Sequence, residues 1–353
     1  MSLRHSILTL VKLLGGFALA RRMTAKGLRI LCYHGISVHD EHCFQPKLFI
    51  REDTFRKRIA YLGRWGYPVL PLDQALALMY RKVLPSNAVV ITFDDGWFGI
   101  GLKAAPLLRE HEFPSTLYVT TRDVVDETPV FDVALRYLLW KGREKALDMR
   151  VLGLSPEMIA LNSPEKREQV ASRLSEAGRE EAGDRQALLD KLAQALDVDD
   201  GSSSSFNRLF RLMTMEQLAL LPEQGMDLEL HTHRHFLPIG DAASIESEIL
   251  DNRMVLRHVA DGPLRHFCYP SGQFHPSQFP LLRALGVESA TTCLSGFNYA
   301  DTESLELRRF LDGENISQVE FEAEVSGFLE LMRRFRQLIR GRRRMAGHDV
   351  MSY

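Results

Sequence analysis

Two hydrophobic periods alternate along this chain. Short runs of apolar and β-branched residues, "LRILCYHGI", "YPVLPL", "AVVITF" and "STLYVT", read as buried strands. Between them lie stretches with apolar residues every three or four positions. "DTFRKRIAYLGRWG" predicts a helix capped by Asp53 or Thr54 and stopped at Gly66, "DQALALMYRK" a helix starting at Asp73, and "GLKAAPLLREHE" a third. Strand and helix alternating at this spacing predict a parallel sheet or barrel. The rhythm breaks between residues 122 and 213. Charged helical patterns such as "SPEKREQVASRLSEAGREEAGDRQALLDKLAQALD" predict a helical insertion without strands there, ending in the serine run at 201–205. It resumes with "MDLEL", a helix around 244–260, "LRHFCYP", "VESATTC" and "LELRRF". The pattern divides the chain into an N-terminal segment (1–27), an α/β core (28–122 and 214–312), the insertion (123–213) and a C-terminal tail (313–353).

Composition changes this picture little. At 353 residues the chain is long enough for one α/β barrel carrying an insertion. A net charge of −2 carries no general nucleic-acid footprint, so no nucleic-acid partner is expected. The four cysteines, Cys32, Cys43, Cys268 and Cys293, form no CxxC pair and read as buried thiols of a reducing compartment. The ends are less ordinary. "SILTLVKLLGGFALARR" at 6–22 is apolar but interrupted by Lys12, too short and broken for a membrane span. It reads as an interfacial amphipathic helix, or as a signal peptide with Ala18-Leu19-Ala20 as its cleavage site. "FLELMRRFRQLIRGRRR" places Phe328, Leu331, Met332, Phe335, Leu338 and Ile339 at helical spacing, with seven arginines between Arg333 and Arg344. Both ends fit peripheral association with an acidic lipid surface, from the cytoplasmic side of the inner membrane. Export is the alternative, if residues 1–20 act as a signal.

The candidate chemistry starts at "VVITFDDGWFG". Side chains alternate faces along a strand, so the adjacent Asp94 and Asp95 cannot both face one way while the strand stays regular. Burying either carboxylate demands a cationic partner. "MDLELHTHRHF" supplies one route to it. His231, His233 and His235 fall within five residues at the C-terminal end of a predicted strand, where α/β folds assemble their sites. Imidazoles with a carboxylate suit a divalent metal, zinc foremost. Two pairings are open on spacing: His231 with His233 on one strand face, or His231 with His235 on a turn leaving the strand.

"TFDDG", then "APLLREHEFPSTLYV", "HTHRH" and "FCYPSG", together resemble the polysaccharide deacetylase family, the NodB-homology carbohydrate esterases. The resemblance covers residues 28–122 and 214–312. It implies a distorted, incomplete (β/α) barrel of about seven strands, with the helical insertion and both termini outside it. It also implies Asp95, His231 and His235 as ligands of a divalent metal, most simply Zn2+, with Asp94 as general base and His233 outside the ligand set. Gly96 would let the backbone break alternation so that both acids reach one site. "FCYPSG" resembles the third motif, in which a backbone amide at Ser271 would donate to the tetrahedral oxyanion. Tyr269 and Pro270 beside it, and Trp97 after the acids, are candidate substrate contacts.

The chain departs from the family pattern twice. Cys268 stands where many members place an arginine that orients the base, and Arg309 is the candidate replacement, ahead of Arg308. A late "LxH" histidine is missing, since only His348 follows His275. His34 in "CYHGI" is the candidate general acid instead. The implied activity is hydrolysis of the N-acetyl group of an amino sugar in a polysaccharide or lipid-linked saccharide. Two readings compete with it: an HxH-type phosphoesterase or amidohydrolase, and an inactive glycan-binding module that keeps the metal.

Overall fold

The computed structural model describes residues 3–154, 156–180, 185–198 and 210–337. The serine run, Leu338, Ile339, His348 and the last four of the seven arginines lie outside the described residues. Seven strands form one sheet: β1 (Arg29–Tyr33), β2 (Val89–Asp95), β3 (Ser115–Val119), β4 (Met226–Leu230), β5 (His266–Cys268), β6 (Ser289–Thr291) and β7 (Phe310–Leu311). Their spatial order is β6-β5-β4-β3-β2-β1-β7, and every pairing is parallel. This is the expected incomplete barrel. Its seam lies between β6 and β7, where Leu307 bridges Thr291 while Phe310 pairs with Leu31. Residues 307–311 therefore cross from one edge of the sheet to the other, with Arg309 in the gap.

Alternation along each strand sorts side chains to two sides of this sheet. On β2, Val89, Ile91 and Phe93 join the large outer core, while Val90 packs with Ile30, Tyr118, Cys268 and Leu307 in the barrel interior. Helix α3 (Glu52–Arg64) buries Phe55, Ile59 and Leu62 against the outside. The next helix, α4 (Leu72–Tyr80), puts Leu72, Leu76 and Met79 against Leu28 and Ala88 and so closes the end at the strands' N-termini. The C-terminal end stays available for a site.

Several local expectations are corrected. "YPVLPL" makes one bridge, Val69 to Val89, and no strand, because Pro68 and Pro71 have no N–H to extend a ladder. Helix α3 starts at Glu52, with Arg51 rather than Asp53 or Thr54 at the cap. "GLKAAPLLREHE" opens as a π-turn over Ile100–Ala104 before the α-helix Ala105–Glu110, with Pro106 unable to donate across the junction. The insertion does contain strands: Ala146–Asp148 pairs antiparallel with Met158–Ala160, each too short for a periodicity to register. Around this hairpin stand α5 (Phe131–Lys141), α6 (Pro164–Glu180) and α7 (Arg185–Ala195). The thiols also differ from expectation, since Cys43 and Cys293 are exposed and only Cys32 and Cys268 are buried; all four are free.

At the N-terminus α1 (Leu3–Leu13) and α2 (Gly16–Met23) meet at a 77° bend. Leu8 and Phe17 pack on Val319 and Ala323 of the helix Gln318–Val325, while one face of α1 stays exposed. Among the described residues no single helix is long and apolar enough to cross a membrane.

Candidate active site and metal centre

Asp94 and Asp95 sit at the C-terminal end of β2, both buried. The break in alternation falls on Asp95 itself, whose φ of 73° is left-handed, followed by Gly96 at 107°. That one residue turns its carboxylate to the same side as that of Asp94. A side chain in this region costs about 1 kcal/mol or more of backbone strain. Thr232, His235 and Ser271 share the left-handed conformation. Four of the ten non-glycine residues with positive φ among the described residues thus lie on the loops that build this site, where the surroundings impose the geometry.

Asp94 faces the barrel interior and meets Arg309. Arg309 is 0% exposed and donates from both terminal nitrogens to the two carboxylate oxygens, 2.7 Å each, while its Nε donates to the Thr292 carbonyl at 3.0 Å. Burial by itself would raise the Asp94 carboxyl, but the charge and paired hydrogen bonds of Arg309 outweigh it and hold the group well below the usual carboxylate range. Arg308 instead approaches the Asn298 side chain through its backbone, so of the two candidates only Arg309 reaches the acid. The Cys268 sulfur lies 3.2 Å from Arg309, in the space a larger residue would need. The arginine thus arrives from the seam instead of from β5.

Asp95 meets the histidines. Its Oδ1 lies 3.2 Å from His231 Nε2 and 3.3 Å from His235 Nε2. Its Oδ2 accepts from the Trp97 indole N–H at 2.7 Å. The Nδ1 of His231 faces the Cys268 carbonyl oxygen at 2.8 Å; a carbonyl only accepts, so Nδ1 carries a proton and Nε2 is the nitrogen directed at Asp95. Two imidazole nitrogens converging on one carboxylate oxygen fit a shared cation, the geometry of a three-ligand site with an open side. Openness comes from His235, whose side chain is 44% exposed, against 2% for His231. His233 turns away and places Nδ1 2.9 Å from the Thr121 hydroxyl, so no HxH pair forms.

Two further groups have ligand spacing, Cys32–His34–Asp94 and Asp94–His231–Cys268. Both depend on Asp94, whose two oxygens Arg309 already occupies. Burial also pushes both thiols well above their ordinary range, keeping them protonated and poor ligands. Asp95, His231 and His235 are therefore the set that fits a metal.

The remaining candidates divide by exposure. His34 lies at the end of β1 with Nε2 3.7 Å from Asp94 Oδ2 and a side chain 20% exposed, on the solvent side of the acid. Ser271 is exposed on the turn Pro270–Gly272 that follows β5. Three expected substrate contacts are corrected. Trp97 is 3% exposed, packed edge-on against Phe49, and its role is to hold Asp95. Tyr269 is fully buried with its hydroxyl on the Leu305 carbonyl, and Pro270 is buried beside it. None of the three presents a ring to a sugar.

Sequence reasoning missed the clamp behind the histidines. Helix α8 (Ala242–Leu256) presents Glu248 and Asn252, four residues apart on one buried face. Asn252 accepts from the His231 N–H at 3.0 Å and donates to the Val119 carbonyl and Thr121 hydroxyl. The Glu248 carbonyl accepts from His233 N–H and its carboxylate from the Arg234 N–H and guanidinium. An amide and an acid in line with Ile245, Ile249 and Leu256 were the available signal. The insertion also helps: Met213 N–H donates to the Gly96 carbonyl and Phe98 N–H to the Arg211 carbonyl, so its returning segment braces the loop after the acids through an isolated bridge.

Comparison with known proteins places this architecture. The fold is that of polysaccharide deacetylases. The deacetylase PplD of Streptococcus pyogenes, solved with acetate, superposes with a TM-score of 0.57 over 86% of this chain and 99% of its own, at 17% identity. IcaB from Ammonifex degensii gives 0.55 over 85% and 97%, at 18% identity. In sequence, 80 residues are 32% identical to poly-beta-1,6-N-acetyl-D-glucosamine N-deacetylase of Escherichia coli K12. That stretch spans 22% of this chain and 12% of the relative. No family model matches the chain.

Proposed function

We propose that this chain is a metal-dependent deacetylase that hydrolyses the N-acetyl group of an amino sugar in a polysaccharide. The observation that carries the reading is the pairing of two carboxylates with two different partners: Asp95 with a pair of imidazoles, Asp94 with a buried arginine. A divalent ion held by Asp95, His231 and His235, zinc by the chemistry of that donor set, supplies Lewis acidity beside the scissile amide. The chain's own groups supply the rest. Asp94 accepts the proton of the attacking water as its oxygen bonds to the amide carbon. Arg309 keeps Asp94 ionised and aimed, at some expense of basicity, so the water must itself be acidified for the transfer to run. The Ser271 amide is assigned to the oxyanion. His34 delivers a proton to the sugar nitrogen as the C–N bond breaks, giving acetate and a free amine.

The E. coli relative's named substrate makes a poly-N-acetylglucosamine the first polymer to try. A lipid-linked saccharide is the second substrate to test. The experiment is acetate release from N-acetylated oligosaccharides and lipid-linked sugars, comparing zinc-loaded protein with its Asp94→Asn variant. Release that requires both zinc and Asp94 supports the reading. Stoichiometric zinc with phosphate released from phosphoesters, and no acetate from any glycan, would sink it.

A further inference from the structure

Helix α1 is apolar on two faces. Leu8 and Val11 pack, with Phe17 of α2, against Val319, Ala323, Phe328 and Leu329. Roughly opposite them, Leu3, Ile7, Leu10 and Leu14 form a stripe at the i, i+4, i+7, i+11 spacing of one helical face, and they are 78, 51, 58 and 77% exposed. Leu13, Leu19 and Met23 extend it across the bend. Exposed apolar side chains scattered singly need no explanation, but seven within 21 residues, four of them on one helical face, do.

The charge around the band is one-sided. Residues 1–27 contain Arg4, Lys12, Arg21, Arg22 and Lys26 and no acid. Arg4 and Lys12 pair with Glu320 and Glu322 of the helix Gln318–Val325, which fixes α1 to the body. Arg22 and Lys26 are exposed, and Arg21 stacks 4.3 Å over Tyr67 while donating to the carbonyl of Trp65, a half-exposed tryptophan. An apolar band edged by cations and a tryptophan matches the chemistry of an anionic lipid surface.

We propose that this face is a membrane-surface contact on which the pair α1–α2 lies in the plane of an anionic leaflet without crossing it. At 1.5 Å per residue the two helices are only about 16 and 12 Å long, against a hydrocarbon core of about 30 Å. The 77° bend and the packing of Leu8 and Phe17 also tie them to the protein. Position in the fold adds a second consequence. Ala25, just past α2, accepts from Asn87 N–H at the N-terminal edge of β2, whereas the catalytic groups lie at its C-terminal end, about 20 Å away along the strand. The contact therefore occupies the flank and lower rim of the barrel and leaves the mouth in water. This inference does not depend on the deacetylase reading. It favours a polymer arriving from solution over a lipid-linked sugar.

Co-sedimentation of the full chain with phosphatidylcholine vesicles, with and without about one-third phosphatidylglycerol, tests the contact. Binding is expected only with the anionic lipid, weakened at least tenfold in L10E/L14E and about fivefold in R22Q, with unchanged circular dichroism. Thiol labelling tests the orientation. Vesicles should protect a cysteine at L14C from a water-soluble maleimide while Cys293, at the end of β6, keeps its labelling rate. Equal binding of wild type and L10E/L14E would overturn the contact. So would a solution dimer by light scattering that L10E/L14E dissolves, which assigns the face to a second copy. Recovery of the native protein beginning beyond residue 20 would remove the surface altogether. Protection of Cys293 would overturn the orientation.

Discussion

Removing the guanidinium of Arg309 is the sharpest perturbation of the site. Arg309→Met keeps an unbranched chain of similar length and deletes the only charge contacting both oxygens of Asp94 among the described residues. It also strands the Thr292 carbonyl, which accepts from Nε. Breaking a buried ion pair by removing one partner costs about 3–5 kcal/mol, because the charge left behind is uncompensated. Asp94 is 3% exposed and Arg309 0%, so solvent screening gives little relief and the upper half of that range is expected. Its pH dependence has a definite sign. In the wild type the depressed carboxyl contributes stability above the ordinary aspartate range, lost only as pH falls through its low folded value. In the variant, burial raises the same carboxyl, so the penalty is full near neutrality and shrinks as pH falls toward 4. The assay is urea unfolding at pH 7.5 and 4.5 as a double-mutant cycle with Asp94→Asn. Asp94→Asn/Arg309→Met leaves no buried charge and should lose at least about 2 kcal/mol less than the sum of the single variants. Additivity within about 0.5 kcal/mol, or a cost for Arg309→Met below 1 kcal/mol, would refute the argument.

Other consequences follow from the same geometry. Asn252→Ala frees the His231 N–H, the Val119 carbonyl and the Thr121 hydroxyl, and should weaken zinc affinity about 10–100-fold by competition titration, although Asn252 touches no ligand atom. Unchanged affinity would show that the clamp is only structural. His34→Gln should lower turnover by about 100-fold or more with zinc content unchanged; parallel loss of both would remove the acid assignment. Glu229, buried in the barrel and bonded to the His266 N–H, is pushed by burial to about 8. Its neutral form is favoured in the fold, so stability falls as pH rises from the ordinary glutamate value to about 8, by up to about 5 kcal/mol. Glu229→Gln should flatten that stretch of the stability–pH curve, and an unchanged slope would contradict the burial argument.

Much of the site was legible in the sequence because its chemistry is concentrated in short motifs. "TFDDG" and "HTHRH" carry Asp94, Asp95, His231 and His235, and each pair is kept together by one strand end. Local spacing left His233 and His235 equally eligible, and only the left-handed backbone at Thr232 and His235, pinned by Glu248 and Asn252, separates them. Trp97 was misread for a related reason. An aromatic after an active-site turn fits a sugar platform or a buried prop equally well in one dimension, and burial against Phe49 decides it.

By itself the sequence determined the alternation of strand and helix in the sheet and the presence of paired acids and clustered histidines, because these depend on near-neighbour periodicity and residue type. Tertiary structure alone decided which of two adjacent arginines meets Asp94. The sequence ranks Arg309 ahead of Arg308 with no local feature to separate them, but the segment that carries them crosses the barrel seam, where Arg309 points inward to Asp94 and Arg308 meets Asn298 through its backbone. The same holds for the thiols of Cys32 and Cys268, remote in sequence yet both within 3.5 Å of one carboxylate oxygen. Such contacts arise from closing a sheet on itself, a long-range event that no local pattern encodes.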